Sequence, residues 1–223
     1  SMDEAVAGHA TRIEIELRAD GSIRIVDNGR GVPVDPHPRF PGKSALEVIF
    51  TTLHAGGKFS GKAYATSGGL HGVGISVVNA LSDLVVVEVA RARTLHRQSF
   101  SRGVPDGPVA EVGPAPNRRG TTVAFHPDPE IFGERARLKP ARLHRMARSK
   151  AYLFSGVEIR WKCDPALIPE GVPTPAEASF RFPNGLADYL AATLESAPTI
   201  TEAPFAGKVD FAEKFGPETP GSV

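Results

Sequence analysis

The segment GGLHGVGISVVNALSD, residues 68–83, places four glycines within seven residues, directly before an apolar helical pattern. Glycine loses more conformational freedom on folding than any other residue, so such a run is costly unless the bare backbone is needed. Backbone N–H groups at the start of a helix bind phosphate well, because they point at the anion and the helix dipole favours negative charge. The spacing matches neither a Rossmann motif nor a P-loop. From this segment alone, a phosphate-binding loop and a glycine-rich surface turn both remain open.

Composition excludes several classes of protein. The 223 residues are 41% hydrophobic, which is enough for a large domain with a real core. Lys and Arg number 26 against 25 Asp and Glu, so the total charge gives no sign of nucleic-acid binding, and we interpret the basic segment 139–150 as a solvated helix face. Cys163 is the single cysteine, and the seven histidines lack metal-ligand spacing. With no long apolar run and no signal-peptide pattern, we expect a cytoplasmic protein that does not enter a membrane.

Strand and helix patterns are intermingled along the chain. Alternating apolar residues predict a hairpin in segment 11–33, with Ile13, Ile15 and Leu17 before a turn at 18–22 and Ile23 and Ile25 after it. Further strands are predicted in segments 84–91, 94–103, 120–128 and 156–163. Apolar residues at helical spacing predict helices in segments 44–55, 75–82, 139–154 and 184–196. This mixture predicts an α/β (α+β) two-layer sandwich, with a mixed, mostly antiparallel sheet and helices on one face.

Local signals refine the predicted helices. Ser44 followed by Glu47 is typical of a capping box. The basic helix is expected to turn Leu143, Met146 and Ala147 inward, and Asn184 is expected to cap the last helix. Residues 56–74 form a long segment between two helices, which is typical of a functional lid.

Two further motifs involve a strand end and a strand start. VDNGRGVP, residues 26–33, places Asp27 at the end of a strand beside a turn with Gly29 and Gly31. Such a carboxylate can accept a hydrogen bond from an exocyclic amine such as adenine N6, although a ligand-free Asx turn explains the same letters. Thr121 begins a later strand and could share that ligand group, or be an ordinary strand residue.

Taken in this order, the motifs resemble the GHKL ATPase fold, also called the Bergerat fold. Within that fold, DEAVAGH, DNGRGVPVD, TTLHAGGKF, SGGLHGVGISVVNALS and HRQSF resemble the ATPase domain of the B subunit of bacterial type IIA topoisomerases. The segments ARSKAYLFSGVEIRW and NGLADYLAATLESAPTITEAPFAG are closer to topoisomerase IV than to gyrase. The alternatives are gyrase, another nucleotide-dependent clamp of the same fold, and a ligand-free structural module, which the cost of the glycines opposes.

The resemblance implies a nucleotide-binding site in which Asp27 accepts a hydrogen bond from adenine with the help of Thr121. The other nucleotide-binding residues that it implies are Gly31, Lys58, Gly69, Leu70, His71, Gly72, Val73 and Gly74. The pocket-lining residues that it implies are Glu4, Arg30, Val32, Pro33, Ile49, Arg97 and Val123. Arg30 is expected to pair with Glu4 at the rim, and Arg97 to stand at the mouth of the pocket, so aminocoumarin-type inhibitors are expected ligands.

The catalytic groups of this family are not among the matched residues. The resemblance implies a glutamate general base and a magnesium-binding asparagine on a helix that usually ends E-x-x-D-N-[SA]-[IM]-D-E-A. Because the chain starts SMDEA, both are expected before Ser1, and no residue of the chain is assigned as catalytic base or metal ligand. Residues 1–196 are then expected to be an ATPase domain without its N-terminal helix, and 197–223 a linker or the start of a transducer region.

For the parent protein, the resemblance implies ATP and Mg²⁺ as cofactors and DNA strand passage as the activity. It also implies an A subunit of the ParC type and DNA as partners, and self-dimerisation on ATP binding. The chain by itself is expected to bind ATP without efficient hydrolysis.

Overall fold

A computed structural model describes residues 1–53, 72–195 and 200 of the chain. The described helices are α1 (Met2–Val6), α2 (Ala45–Thr51), α3 (Gly74–Ala80), α4 (Pro129–Phe132), α5 (Pro140–Leu153) and α6 (Leu186–Leu194). The described strands are β1 (Arg12–Leu17), β2 (Ile23–Asp27), β3 (Ser82–Arg91), β4 (Thr94–Ser101), β5 (Val104–Pro105), β6 (Ala110–Pro114), β7 (Gly120–Pro127), β8 (Glu158–Cys163) and β9 (Glu177–Phe180). A 3₁₀ turn follows β8 at Pro165–Leu167.

All of these strands belong to one open sheet in the order β5-β4-β3-β7-β2-β1-β8-β9, with β6 also paired to β4. Every described strand pair is antiparallel except β1 with β8, which is parallel. The predicted fold class, a mixed and mostly antiparallel sheet with helices on one face, is therefore confirmed. The predicted hairpin is also present, with Ile13 opposite Asp27 and Leu17 opposite Ile23.

The core lies between the sheet and its helices. Leu46 and Phe50 of α2 pack against Val85, Val87 and Val89 of β3. Each such side chain contributes about 1.5–3 kcal/mol when it is fully removed from water. The ring of Phe50 also stacks on that of Phe100, with centroids 5.4 Å apart. This cluster fixes α2 on β3, β4 and β7, the last of which pairs with β2.

Helix α5 covers β1 and β8. Its Ala147 and Ala151 pack with Ile13 and Ile159. Of the three residues expected to turn inward, Leu143 and Ala147 do so, but Met146 is wrong, since 47% of it is exposed. Successive residues of a helix are rotated by about 100°, so the neighbour of Ala147 points away from the sheet.

The predicted caps have different outcomes. The Ser44 side chain accepts a hydrogen bond from Glu47 N at 3.0 Å, which confirms the start of α2. Asn184 is not the cap of α6, because the cap position is taken by Gly185 at φ +58°. The Asn184 side-chain amide instead donates a hydrogen bond to the carboxylate of Asp188, in the first turn of α6, at 3.0 Å. Asn184 is therefore a donor here, and not the acceptor that a cap residue supplies.

Three strands and two helices were not predicted. Strands β5, β6 and β9 have two to five residues, and prolines end two of them, so no alternating pattern marks them. Helices α1 and α4 have five and four residues, which is too short for helical periodicity to show. No helix within the described ranges is long and apolar enough to cross a membrane. The expected lid lies mostly, and the expected linker almost wholly, outside those ranges.

Candidate functional site

The centre of the site is the Asp27 carboxylate. Strand β2 turns Ile23, Ile25 and Asp27 toward the helices, and Asp27 is only 4% exposed. Its Oδ1 accepts hydrogen bonds from Gly29 N at 3.0 Å and from Thr121 N at 3.2 Å. Its Oδ2 accepts a hydrogen bond from the Ser1 hydroxyl at 2.7 Å. A buried carboxylate needs such partners, and here two backbone N–H groups fix Oδ1 while Oδ2 contacts the side-chain hydroxyl of Ser1.

Gly120 brings Thr121 to Asp27 from a strand that is remote in sequence. Gly120 has φ +109°, and a Cβ at this position would overlap the Asp27 carbonyl oxygen. Only glycine therefore allows β7 to start so close to the end of β2. The Thr121 hydroxyl in turn accepts a hydrogen bond from Val32 N at 3.1 Å, which ties the turn after β2 to the same point.

The Arg30–Glu4 pair expected at the rim is present. Arg30 Nη2 lies 2.8 Å from Glu4 Oε1, and Arg30 Nε lies 3.2 Å from Glu4 Oε2. The backbone N–H of Arg30 donates to the same Oε2 at 3.0 Å. A Cβ on Gly29 would lie 2.9 Å from that oxygen, so the glycine turn and α1 fit closely. This two-pronged pair is the strong geometry for an arginine and a carboxylate.

The apolar residues expected to line the pocket lie together. Val32, Ile49 and Val123 are partly buried, and all pack against the cluster of α2 and β3. Val123 stands opposite Ile25 and Val87, which places it on the helix-covered face that also carries Asp27. Pro33 is exposed, as a rim residue should be. An apolar wall beside one buried acceptor suits a flat, mostly apolar group with a polar edge.

The placement of Arg97 in this pocket is wrong. Arg97 is exposed, and it stands opposite Glu88 in the β3–β4 pair. Val85, Val87 and Val89 of β3 face the helices, so their even-numbered neighbours, and Arg97 with them, face the opposite side of the sheet from Asp27.

The arginine that contacts the turn after β2 is Arg91, which sequence reasoning missed. It continues the odd-numbered residues of β3, and its Nη1 donates to the Gly31 carbonyl at 2.9 Å. A Cβ on Gly31, which has φ +79°, would lie 3.4 Å from the Arg91 Cβ. The strand parity set by the buried valines was the signal that separates Arg91 from Arg97.

The expected phosphate loop is only partly described. Lys58, Gly69, Leu70 and His71 lie outside the described residues. Gly72 has φ +62°, and α3 begins at Gly74 after Val73, which offers no side-chain cap.

A buried residue near the end of α3 fixes this helix against α2. Asn79 is fully buried, and its amide donates to the Phe50 carbonyl at 3.0 Å, which joins α3 to the end of α2.

Within the described ranges, the titratable groups outside this site show no second reactive centre. Burial and the nearby Arg148 lower the pKa of His144, which stands edge-on to Trp161. Burial raises the pKa of the Cys163 thiol, which favours its neutral, unreactive form. Among the residues that the structure describes, no three His, Cys, Asp or Glu side chains form a group able to hold a metal ion.

Comparison with known proteins places these features in a family. Residues 1–131 match the family described as histidine kinase-, DNA gyrase B-, and HSP90-like ATPase. The chain is 62% identical to the B subunit of DNA topoisomerase 4 from Caulobacter vibrioides, over 94% of this chain and 30% of that protein. It is 56% identical to the corresponding protein of Bartonella bacilliformis, over 93% and 30%. It is 47% identical to the B subunit of DNA gyrase from Thermus thermophilus, over 92% and 31%.

A solved structure is similar as well. The 43K ATPase domain of Thermus thermophilus gyrase B, in complex with an aminocoumarin, superimposes with a TM-score of 0.74 at 40% identity. That match covers 92% of this chain and 49% of the other. The chain spans about a third of the length of the curated relatives that it matches.

Proposed function

Because the chain belongs to the family of histidine kinase-, DNA gyrase B- and HSP90-like ATPases, we propose that it is the ATP-binding domain of a topoisomerase IV B subunit. The observation that carries the proposal is the buried Asp27 carboxylate, held by Gly29 and Thr121 against an apolar wall. The higher identity to topoisomerase 4 than to gyrase supports the choice of enzyme.

In the proposed complex, Asp27 Oδ2 accepts a hydrogen bond from the adenine amine, and Thr121 stands beside it. Val32, Ile49 and Val123 contact the purine face. The rim consists of Pro33, the Arg30–Glu4 pair and Gly31, whose carbonyl is fixed by Arg91. The phosphates are assigned to Lys58 and to the segment from Gly69 to Gly74, whose glycines leave room for an anion against backbone N–H groups.

ATP hydrolysis is assigned to the parent protein. Glu4 is already engaged with Arg30, so its carboxylate is not poised to accept a proton from water. The described residues do not fit a Mg²⁺ site, and no step is derived through the metal from them. The general base and the metal-binding asparagine are proposed to lie before Ser1. ATP-dependent dimerisation, the A subunit and DNA strand passage are likewise proposed for the parent, with residues 1–196 as its ATPase domain.

Calorimetry with a non-hydrolysable ATP analogue tests the adenine contact. Asp27→Asn turns the acceptor into an amide that can present a donor to the ligand's NH₂. Loss of a hydrogen bond to a buried charged group costs about 1.5–3 kcal/mol, which is about one to two decades in affinity. Asp20→Asn is the matched control, because Asp20 is exposed in the turn at the other end of β2. Equal binding by the Asp27 variant and the wild type would refute the proposed site.

The B subunit of gyrase is the second candidate, and the similarity to a solved gyrase B domain favours it. The full-length protein, assembled with its A subunit, decides between the two enzymes. Topoisomerase IV is expected to decatenate linked circles and relax supercoils. Introduction of negative supercoils into relaxed DNA would identify gyrase instead.

A further inference from the structure

Positive charge is concentrated around helix α5. Between residues 135 and 150 the chain has seven Lys or Arg and no Asp or Glu. All seven are exposed, and together they define the basic face: Arg135, Arg137, Lys139, Arg142, Arg145, Arg148 and Lys150. The other 207 residues then carry 19 Lys or Arg, from a total of 26, against 25 Asp and Glu. The near-neutral total therefore conceals one strongly positive region.

The cations of the basic face are not neutralised by carboxylates. In the part of the chain that the structure describes, none of the seven makes an ion pair, whereas Arg12 pairs with Glu14 and Arg118 with Glu88. Arg148 and Lys150 lie over the rings of Tyr152 and Phe154, each 5.7 Å from the ring centroid. Their charges thus stay available to an anion from outside.

Helix stability does not explain this arrangement. Arg142, Arg145 and Arg148 follow one another at intervals of three, where neighbouring like charges repel on a helix surface. The first turn of α5 has no acidic residue, although the helix dipole favours negative charge there. Lys150 in the last turn suits the dipole, but these local costs at Arg142, Arg145 and Arg148 are not offset by carboxylates within the described part of the chain.

We propose that the basic face binds the phosphate backbone of double-stranded DNA. The helix rises about 1.5 Å per residue, so Arg142 to Arg148 covers about 9 Å, and duplex DNA presents a phosphate charge about every 1.7 Å of axis. Five of the seven cations are arginines, whose planar group suits phosphate oxygens. Single strands bind by stacking their bases on exposed aromatic rings. Helix α5 itself carries no exposed ring, since Tyr152 is buried, and the neighbouring exposed ring is the single Tyr189 of α6. The inference rests on the proposed function, in which the parent handles DNA.

Fluorescence anisotropy with a labelled duplex of about 25 base pairs tests the basic face between 50 and 200 mM salt. If about four phosphates are neutralised, the slope of log K against log salt is about −3.6, and affinity falls about 150-fold across this range. The triple variant Arg142→Ala, Arg145→Ala, Arg148→Ala is expected to reduce the slope by about 2.7. The same three residues changed to Lys should keep most of the slope, since the charge remains.

A matched control removes equal charge elsewhere. The control is the triple variant Arg12→Ala, Arg18→Ala, Arg118→Ala, which removes three arginines that form ion pairs. Arg12 lies in β1, Arg18 directly follows β1, and Arg118 lies in the turn between β6 and β7. This variant should leave DNA binding nearly unchanged. Equal loss in both alanine triples would show a mere net-charge effect and overturn the proposal. So would the absence of binding at 50 mM salt, or tighter binding of polyglutamate than of DNA.

Nucleotide binding, measured on the same samples, separates this inference from the proposed function. The α5 triple should bind the ATP analogue like the wild type, since the three arginine side chains are exposed and Asp27 is held by Ser1, Gly29 and Thr121. Failure of wild-type nucleotide binding with normal DNA binding would count against the proposed function alone. Circular dichroism melting checks that each variant is folded. If the α5 triple melts early and loses nucleotide binding, the double variant Arg142→Gln, Arg145→Gln replaces it. The expected change of the salt slope is then about 1.8.

Discussion

Replacing Gly120 by alanine tests whether the close approach of β7 to the end of β2 builds the site. The φ of +109° is rarely adopted by other residues, and such strain costs about 1–3 kcal/mol. The new Cβ would also overlap the Asp27 carbonyl oxygen and lie 3.0 Å from the Asn28 Cα, so backbone atoms must move. Overpacking of this kind costs about 1–3 kcal/mol more. We therefore expect Gly120→Ala to lower the free energy of unfolding by about 2–6 kcal/mol, out of about 5–15 for a typical domain.

Urea unfolding followed by circular dichroism measures this loss as a shift of the midpoint at constant m value. Gly156→Ala is the matched control, because Gly156 has φ +85° but nothing within 4 Å of its would-be Cβ, so it carries the strain without the overlap. Where the variant stays folded, separation of Thr121 N from Asp27 should also weaken binding of the ATP analogue by about tenfold or more. If both alanine variants unfold at the same midpoint and bind equally, the close approach is not what builds the site.

Three further predictions concern Arg91, Asp128 and ATP hydrolysis. In a calorimetric titration, Arg91→Ala is expected to weaken binding of an aminocoumarin or an ATP analogue about tenfold, whereas Arg97→Ala should leave the affinity unchanged. The reason is that Arg91, and not Arg97, donates a hydrogen bond to the Gly31 carbonyl. The reverse ranking would contradict the face of the sheet assigned to each arginine. Burial of Asp128 alone would raise its pKa, but the Glu130 N–H and the Arg102 guanidinium outweigh it and hold the pKa below its ordinary value of 3.8. The ionised Asp128 carboxylate therefore stabilises the fold above about pH 4, and this stabilisation is lost as the pH falls further. Asp128→Asn should flatten the acid limb in a plot of urea midpoint against pH. An unchanged acid limb would count against the pairing of Asp128 with Arg102. Finally, the 223-residue chain should bind ATP but release little phosphate, since a general base contributes about 10²–10⁴-fold to the rate of hydrolysis. A rate of phosphate release similar to that of the full-length protein would place the base inside the chain and make Glu4 the first residue to change.

Elements with strong local patterns could be predicted from the sequence. The β1–β2 hairpin was recognisable from the alternation of Ile13, Ile15 and Leu17, and α2 from Ser44 and its apolar spacing. The short edge strands were not recognisable, because pairing with β4 and β8, rather than their own residues, makes them strands.

The site depended on the whole order of motifs. Asp27 and Thr121 are 94 positions apart and meet only because Gly120 lets two backbones approach, which neither local pattern shows. The error between Arg91 and Arg97 has a simpler origin. The face of a strand residue is decided by whether it is an odd or an even number of positions from the buried residues, and Arg91, unlike Arg97, shares the helix-covered face with Val85, Val87 and Val89.

The parallel pairing of β1 with β8 sets an order of events during synthesis. Arg12 lies opposite Glu158, which is 146 positions later in the chain. At the usual rate of about 5–20 residues per second, a ribosome needs roughly 7–29 s to make that interval. For this time β1 can form its hairpin with β2, but its other edge stays unpaired and Ile13 lacks the α5 and β8 side chains that later bury it. The nascent chain thus exposes an apolar strand edge until most of the domain has been translated, and this interval is when chaperone protection matters most.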